Sequence, residues 1–275
     1  MEPLFKKRLE HLCGQLPPDI GAAILEHGEE LGRRFLRTIP FNRALTLNDR
    51  TMIAALCIRT FQVGRRGDPF RGPTDRIEVP RTRCLTCGER NVTALHGDTC
   101  TLRFNPGSQW CRWAAVHDRM SHVLATHLKY TPGSTVSRED SASRDGNRQR
   151  TDINVTGGAA PDGTRRAYDI TLLSKRVNTG VSTNHHSIPD ETHTSSVDRA
   201  RRLLQRRLEL REQDKRNRYR HVGCFVPLVL TISGARGPAM EKEWDHWRQS
   251  CRSMSLATRR ISVLLITERA SRYRF

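Results

Sequence analysis

Apolar positions recur along this chain with two periods, and each change of period marks an exchange of helix for strand. From Ile20 to Leu36 they fall at helical spacing, after Pro18-Asp19 and before Pro40, which ends the run. Asn48 or Asp49 is placed to cap a second helix, whose apolar positions include Met52, Ile53, Leu56 and Phe61. Gly64, Gly67, Pro69, Gly72, Pro73 and Pro80 then break the pattern among several arginines, so residues 64–80 read as a linker. Helical spacing returns over 110–128, where Trp113, Ala114, Val116, Met120, Val123 and Leu124 share one side. His117, His122 and His127 sit among them, and each reads as a packed or solvent-facing side chain.

Beyond the Pro132-Gly133 turn the period shortens to two. Thr135-Val-Ser-Arg-Glu139 reads as a strand ending in an acid. Asp152-Ile-Asn-Val-Thr156 and Tyr168-Asp-Ile-Thr-Leu-Leu173 alternate in the same way, joined through Gly157, Gly158 and Pro161-Asp162-Gly163. A hairpin in this register brings Asp152 and Asp169 near each other. Residues 176–196, rich in Ser, Thr, Asn and His and including His185 and His186, read as an inserted loop. A long helix follows from about Ser196 to Tyr219. Its inward stripe runs through Val197, Ala200, Leu204, Leu208, Lys215 and Tyr219. Phe225 to Ile232 is an apolar, β-rich run in which Pro227 marks an edge or bulge. Ser233-Gly-Ala-Arg-Gly237 turns the chain into a helix carrying Met240, Trp244 and Trp247. The tail from Met254 reads as a last helix, with Ile261–Ile266 also compatible with a strand. The fold class is therefore α/β: a small mixed sheet flanked by helices and preceded by a helical segment.

Charge changes the picture most. The 275 residues hold 47 Lys+Arg against 29 Asp+Glu, a formal net charge of +18, which predicts salt-sensitive attraction to polyanions. Between Arg201 and Arg220 nine residues are basic and three acidic, and most of those arginines lie off the inward stripe. No apolar run is long enough to span a membrane and no signal-peptide core is present. Four of the eight cysteines are clustered between Cys84 and Cys111 rather than spread as a disulfide frame, which fits a reducing compartment.

Four of the candidate metal ligands lie at Cys84, Cys87, His96 and Cys100, spaced Cys-x2-Cys-x8-His-x3-Cys. Two thiolates two residues apart form a knuckle, Gly88 suits its tight turn, and a His/Cys pair one helical turn apart closes a tetrahedron. Four ligands with no open position make a structural Zn²⁺ site; the competing reading is a redox pair or unrelated thiols. Cys111 and His117 are substitute ligands. Asp152 and Asp169 are the second candidate. Two carboxylates held together on a small sheet suit Mg²⁺, with waters and a substrate phosphate completing the shell, whereas the plainer reading is a pair of solvated strand-end aspartates. Lys215, on a stripe that packs inward, needs a counter-charge or a phosphate unless it snorkels past the core.

Taken in order, these pieces resemble the restriction-like endonuclease domain at the C-terminus of site-specific non-LTR retrotransposon reverse transcriptases, a branch of the PD-(D/E)XK nucleases. The resemblance covers roughly residues 40–250. Cys84, Cys87, His96 and Cys100 match its zinc motif, the helix with His117 matches the one after it, and Glu139 falls where the family has an acid at the end of its first strand. Thr151-Asp152-Ile153 matches the Pro-Asp-aliphatic motif, and Ala167-Tyr168-Asp169-Ile170-Thr171 the second acidic strand. Lys215-Arg-Asn-Arg-Tyr219 matches a Lys-x-x-basic-Tyr helix motif. Phe225-Val-Pro-Leu228 with Gly234 and Gly237 matches the closing strand and turn. The chain departs from the pattern at Thr151, where the family has proline, and at Thr171, where many of the wider superfamily carry the catalytic lysine. Lys215 must then supply the lysine from the helix, as in the retrotransposon branch, with Lys175 the weaker candidate.

The resemblance implies a Mg²⁺-dependent endonuclease that nicks chromosomal DNA in the nucleus, leaving a 3′-OH that primes reverse transcription. Asp152 and Asp169 would hold the metal, Glu139 would assist, and Lys215 would orient the attacking water. DNA target, element RNA and a polymerase part of a larger protein are the implied partners, because no Tyr-x-Asp-Asp polymerase signature occurs in this chain. The chain looks like the C-terminal part of a larger protein or a degenerate remnant. The expected domains are a helical segment and linker (1–80), the zinc knuckle (81–103), the nuclease domain (104–250) and a helical tail (251–275). The rival is a module of the same fold that grips nucleic acid without cleaving it.

Overall fold

A computed structural model describes residues 7, 8, 10–12, 18–59, 109–138, 151–173 and 195–271. The proposed zinc ligands Cys84, Cys87, His96 and Cys100, the strand-end acid Glu139, Lys175, and His185 and His186 lie outside the described residues.

The period-two segments form one four-stranded sheet in the order β1 (Thr135–Arg138), β2 (Ile153–Thr156), β3 (Arg166–Leu173) and β4 (Phe225–Thr231). β1 and β2, and β2 and β3, pair antiparallel; β3 and β4 pair parallel. A parallel pair cannot be closed by a tight turn, and α5 (Ser196–Arg218), the helix between β3 and β4, lies in that crossover. β4 is an edge strand, which explains how Pro227 is tolerated opposite Asp169: its missing N–H removes no ladder bond on the open side.

The hairpin between β2 and β3 depends on its turn chemistry. Gly157 has φ +83°, and a Cβ there would stand 1.9 Å from the carbonyl oxygen of Gly133, so no other residue fits without moving the backbone. Pro161–Gly163 makes one 3-10 turn in which Asp162 is left-handed, a conformation aspartate tolerates.

The sheet divides the molecule into two apolar layers. On one face, Ile153, Val155, Tyr168, Ile170, Leu228 and Leu230 pack against α4 (Gln109–Leu128), α6 (Pro238–Ser250) and α7 (Met254–Ser271) through Met120, Leu124, Trp244, Trp247 and Ile261. On the other, Val229 and Leu173 meet Leu204 and Leu208 of α5 and Ala22 of α1 (Pro18–Gly28). Alternation along β3 puts Tyr168 and Ile170 in the larger core, and therefore turns Asp169 and Thr171 toward α5. A third cluster joins Phe35, Leu45 and Ala55 to Val263 and Ile266 of α7. The fold class read from the sequence holds in this form: a mixed α/β chain with a four-stranded mixed sheet flanked by helices.

One detail differs from the sequence reading. The helical run to Leu36 is broken: α1 stops at Gly28, α2 covers only Glu30–Arg33, and Arg34–Arg37 is a 3-10 turn. Glu29 between them is extended, which lets Leu31 and Phe35 turn into the core separately. Ile261–Ile266, left open between helix and strand, lies within helix α7, whose Ile261 and Leu265 are one turn apart on the same buried side. Helix α3 (Asp49–Arg59) begins as expected, with Asn48 Oδ1 accepting the amide N–H of Thr51 at 2.8 Å. Among the described residues no helix is long and apolar enough to cross a membrane.

Candidate functional site

The ladder pairs Ile153 with Tyr168, so the next step outward sets Asp152 across from Asp169. The amide of Asp152 donates to the Tyr168 carbonyl at 2.8 Å, which holds this end of β2 in register. Its carboxylate then turns back onto the sheet. Oδ2 accepts the Ile170 amide at 2.6 Å and the Nε2 of His117 at 2.9 Å. Among the described residues its Oδ1 has no hydrogen-bond partner.

Asp169 is the more heavily engaged. Lys215 Nζ lies 2.6 Å from Oδ2, the Tyr219 hydroxyl donates to Oδ1 at 2.8 Å, and the Thr171 hydroxyl donates to Oδ2 at 3.2 Å. Asp169 is 6% exposed and Asp152 9%, so both carboxylates are almost out of water. A buried carboxylate is tolerable when it is paired and hydrogen-bonded, and both conditions are met.

Lys215 and Tyr219 reach Asp169 together because they are four residues apart at the end of α5 and so share a face. The helix starts at a side-chain cap, Ser195 Oγ accepting the Asp198 amide at 3.1 Å, and its Leu204 and Leu208 seat it on the sheet. At its far end the Tyr219 ring stacks on Phe225 at 4.5 Å between centroids and 20° between planes. That stack fixes the helix end to the first residue of β4. Burial and then the neighbouring Asp169 push the Tyr219 hydroxyl above its ordinary pKa, so it stays protonated and donates.

His117 is the residue that the periodicity undervalued. Read as packed or solvent-facing, it is half-buried and bound at both ring nitrogens, Nε2 to Asp152 and Nδ1 to Asp118 Oδ1 at 3.1 Å. The hydrogen bond to Asp152 holds its pKa up at about 9 against the opposing effect of burial, so the ring is an imidazolium at neutral pH. A signal was present: His117 stands three residues before Met120 and four before Ser121, both buried. Thr171 is a second such case. At the position of the superfamily lysine, it is a buried hydroxyl that helps orient Asp169.

The structure thus brings together Asp152, Asp169, Lys215, Tyr219, Thr171 and His117. Glu139 and the zinc ligands lie outside the described residues, as does Lys175. Among the described residues no three His, Cys, Asp or Glu side chains are arranged to hold a metal. Two opposed, buried carboxylates with the Oδ1 of Asp152 unbonded suit a hard divalent cation, but only one whose shell is completed by water and a substrate phosphate. Compared with known protein families and with curated proteins, the chain matches none.

Proposed function

We propose that this chain is a Mg²⁺-dependent DNA endonuclease with a restriction-endonuclease-like core, nicking target DNA to prime reverse transcription in non-LTR retrotransposition. The observation that carries the reading is Lys215 at 2.6 Å from Asp169, on the carboxylate that stands across the ladder from Asp152. A helix lysine brought to a sheet carboxylate is what the absence of a lysine at Thr171 requires of such an enzyme. Priming of reverse transcription and a nuclear site of action rest on the motif resemblance, and a structural Zn²⁺ at Cys84, Cys87, His96 and Cys100 rests on the ligand spacing together with it.

Asp152 and Asp169 would hold the cation, whose chemistry is to polarise the scissile phosphate and lower the pKa of a water. Water oxygen bonds to phosphorus as the P–O3′ bond breaks, and the departing oxygen takes a proton to become the priming 3′-OH. Lys215, held by Asp169 and packed over the Tyr219 ring at 5.7 Å, supplies positive charge beside the phosphorane oxygens and orients the water. Thr171 and Tyr219 keep the Asp169 oxygens pointed at the site.

One observation favours a second reading, a module that binds nucleic acid without cutting it. Each carboxylate already has a cationic partner, His117 for Asp152 and Lys215 for Asp169, so the two charges are balanced within the chain. A plasmid-nicking assay in Mg²⁺ separates the two. The nuclease reading expects wild type to nick and Asp152→Ala and Asp169→Ala to lose nicking while keeping DNA binding. Full nicking by Asp152→Ala removes the nuclease reading and leaves the binding module.

A further inference from the structure

Apart from the paired carboxylates, the described residues form a second concentration of chemistry, made of arginine. A cleft of about 290 Å³ is lined by Glu30, Arg33, Arg34, Arg37 and Arg248. Arg33 ends α2, Arg34 and Arg37 belong to the following 3-10 turn, and Arg248 lies in the last turn of α6. The floor is rigid. Leu31 and Phe35 are buried beneath it, and the Phe35 amide donates to Ser262 Oγ of α7 at 2.8 Å. Arg34 is itself anchored, its Nη2 donating to Ser255 Oγ at 3.3 Å.

The charge in this cleft does not balance. Glu30 is the one acid among the lining residues; it is shared by Arg236 at 3.1 Å and by Arg248, and outside the lining Arg236 also pairs with Glu241 and Arg248 with Asp245. Arg33, Arg34 and Arg37 have no ion pair among the described residues, and Arg34 Nε is buried with no hydrogen-bond partner there. Three guanidiniums drawn to one concavity by the packing of Leu31 and Phe35 repel one another, and an anion relieves that cost. Guanidinium forks match the several acceptor oxygens of a phosphate better than they match bulk water.

We propose that this cleft seats a backbone phosphate of bound nucleic acid, at a point outside the cleavage site. The inference rests on the nucleic-acid-binding half of the proposed function and is independent of cleavage. Arg33 and Arg37, exposed and without an ion pair among the described residues, contact the phosphate oxygens, while Arg34 is held by Ser255. Glu30 and Asp245 hold Arg248 at the cleft wall, and Arg236 bridges Glu30 and Glu241.

The test uses the full chain, a short duplex oligonucleotide and EDTA to prevent cleavage, with affinity measured over a range of salt concentrations. Each phosphate contact contributes about 0.9 to the slope of log K against log salt. Arg33→Gln with Arg37→Gln is expected to reduce that slope by about 0.9, one phosphate's worth, and to weaken binding about tenfold near physiological salt. Lys129→Gln with Lys242→Gln removes equal charge from exposed positions outside the cleft and is expected to change the slope much less. Unchanged melting midpoints show that the variants are folded. Arg37→Gln alone, with an expected fall of about half that size, serves where the double variant unfolds. A wild type that binds while both double variants behave alike removes the cleft and leaves the proposed function intact. A wild type that does not bind the duplex at any salt concentration removes the nucleic-acid reading itself.

Discussion

Asp169 takes hydrogen bonds from Lys215, Tyr219 and Thr171, and only Lys215 carries the compensating charge. Lys215→Ala therefore leaves a buried carboxylate without its counter-ion, which costs about 3 kcal/mol in stability. Nicking should be lost in that variant with DNA binding slightly weaker, whereas Lys175→Ala should nick normally. A Lys215→Ala protein that nicks fully, beside a dead Lys175→Ala protein, would transfer the catalytic role to Lys175. His117 gives a prediction of the opposite kind. Its folded pKa, about 9, stands above the ordinary 6.5, so the stability it contributes is complete below pH 6.5 and is lost as pH rises through 9. In EDTA, the denaturation midpoint of wild type should decline between those limits. In His117→Gln the decline should be absent, and its persistence would mean that another group titrates there.

At the scale of elements, α5 holds the site from one face and also organises α6. Glu212 Oε1 accepts the Ala239 amide at 2.9 Å, at the start of a helix whose N-cap, Gly237, offers no side chain. A Cβ at Gly237 would stand 2.2 Å from Glu212 Oε1 and would push that carboxylate off the helix start. Burial pushes the Glu212 carboxyl up, and the amide hydrogen bonds oppose it. Glu212→Ala removes the cap and should cost about 1 kcal/mol by chemical denaturation. A loss indistinguishable from zero would show that the first turn of α6 finds equivalent partners in water.

Across the whole molecule, the larger core carries the register of the carboxylates. Trp247 is fully buried, donates from Nε1 to the Ala159 carbonyl at 2.9 Å, and meets Tyr168 edge to face at 5.4 Å. Tyr168 in turn donates to the buried Glu243 at 2.7 Å and precedes Asp169 on β3. Trp247→Ala should cost about 3–5 kcal/mol, read as a lower denaturation midpoint. A cost under about 1 kcal/mol would mean that the hairpin is held by its turn and ladder alone.

Periodicity by itself determined the described strands, the long helix before β4 and the hairpin that opposes Asp152 to Asp169, because these depend on local alternation and turn residues. It also placed Lys215 on the inward stripe, since the register of a helix is set by its own apolar residues. The break between α1 and α2 was not legible, because it is Leu31 and Phe35 packing onto other elements that bends the chain there. The partner of His117 was not legible either. His117 and Asp152 are 35 residues apart, and only the packing of α4 against the sheet brings the ring to that carboxylate. The arginine cleft has the same origin: Arg33, Arg34 and Arg37 are neighbours in sequence, but Arg248 and the Ser255 and Ser262 hydroxyls that hold the segment come from α6 and α7, more than two hundred residues away. Local pattern specifies elements and their faces, whereas the meeting of side chains from distant elements is decided by how those faces pack.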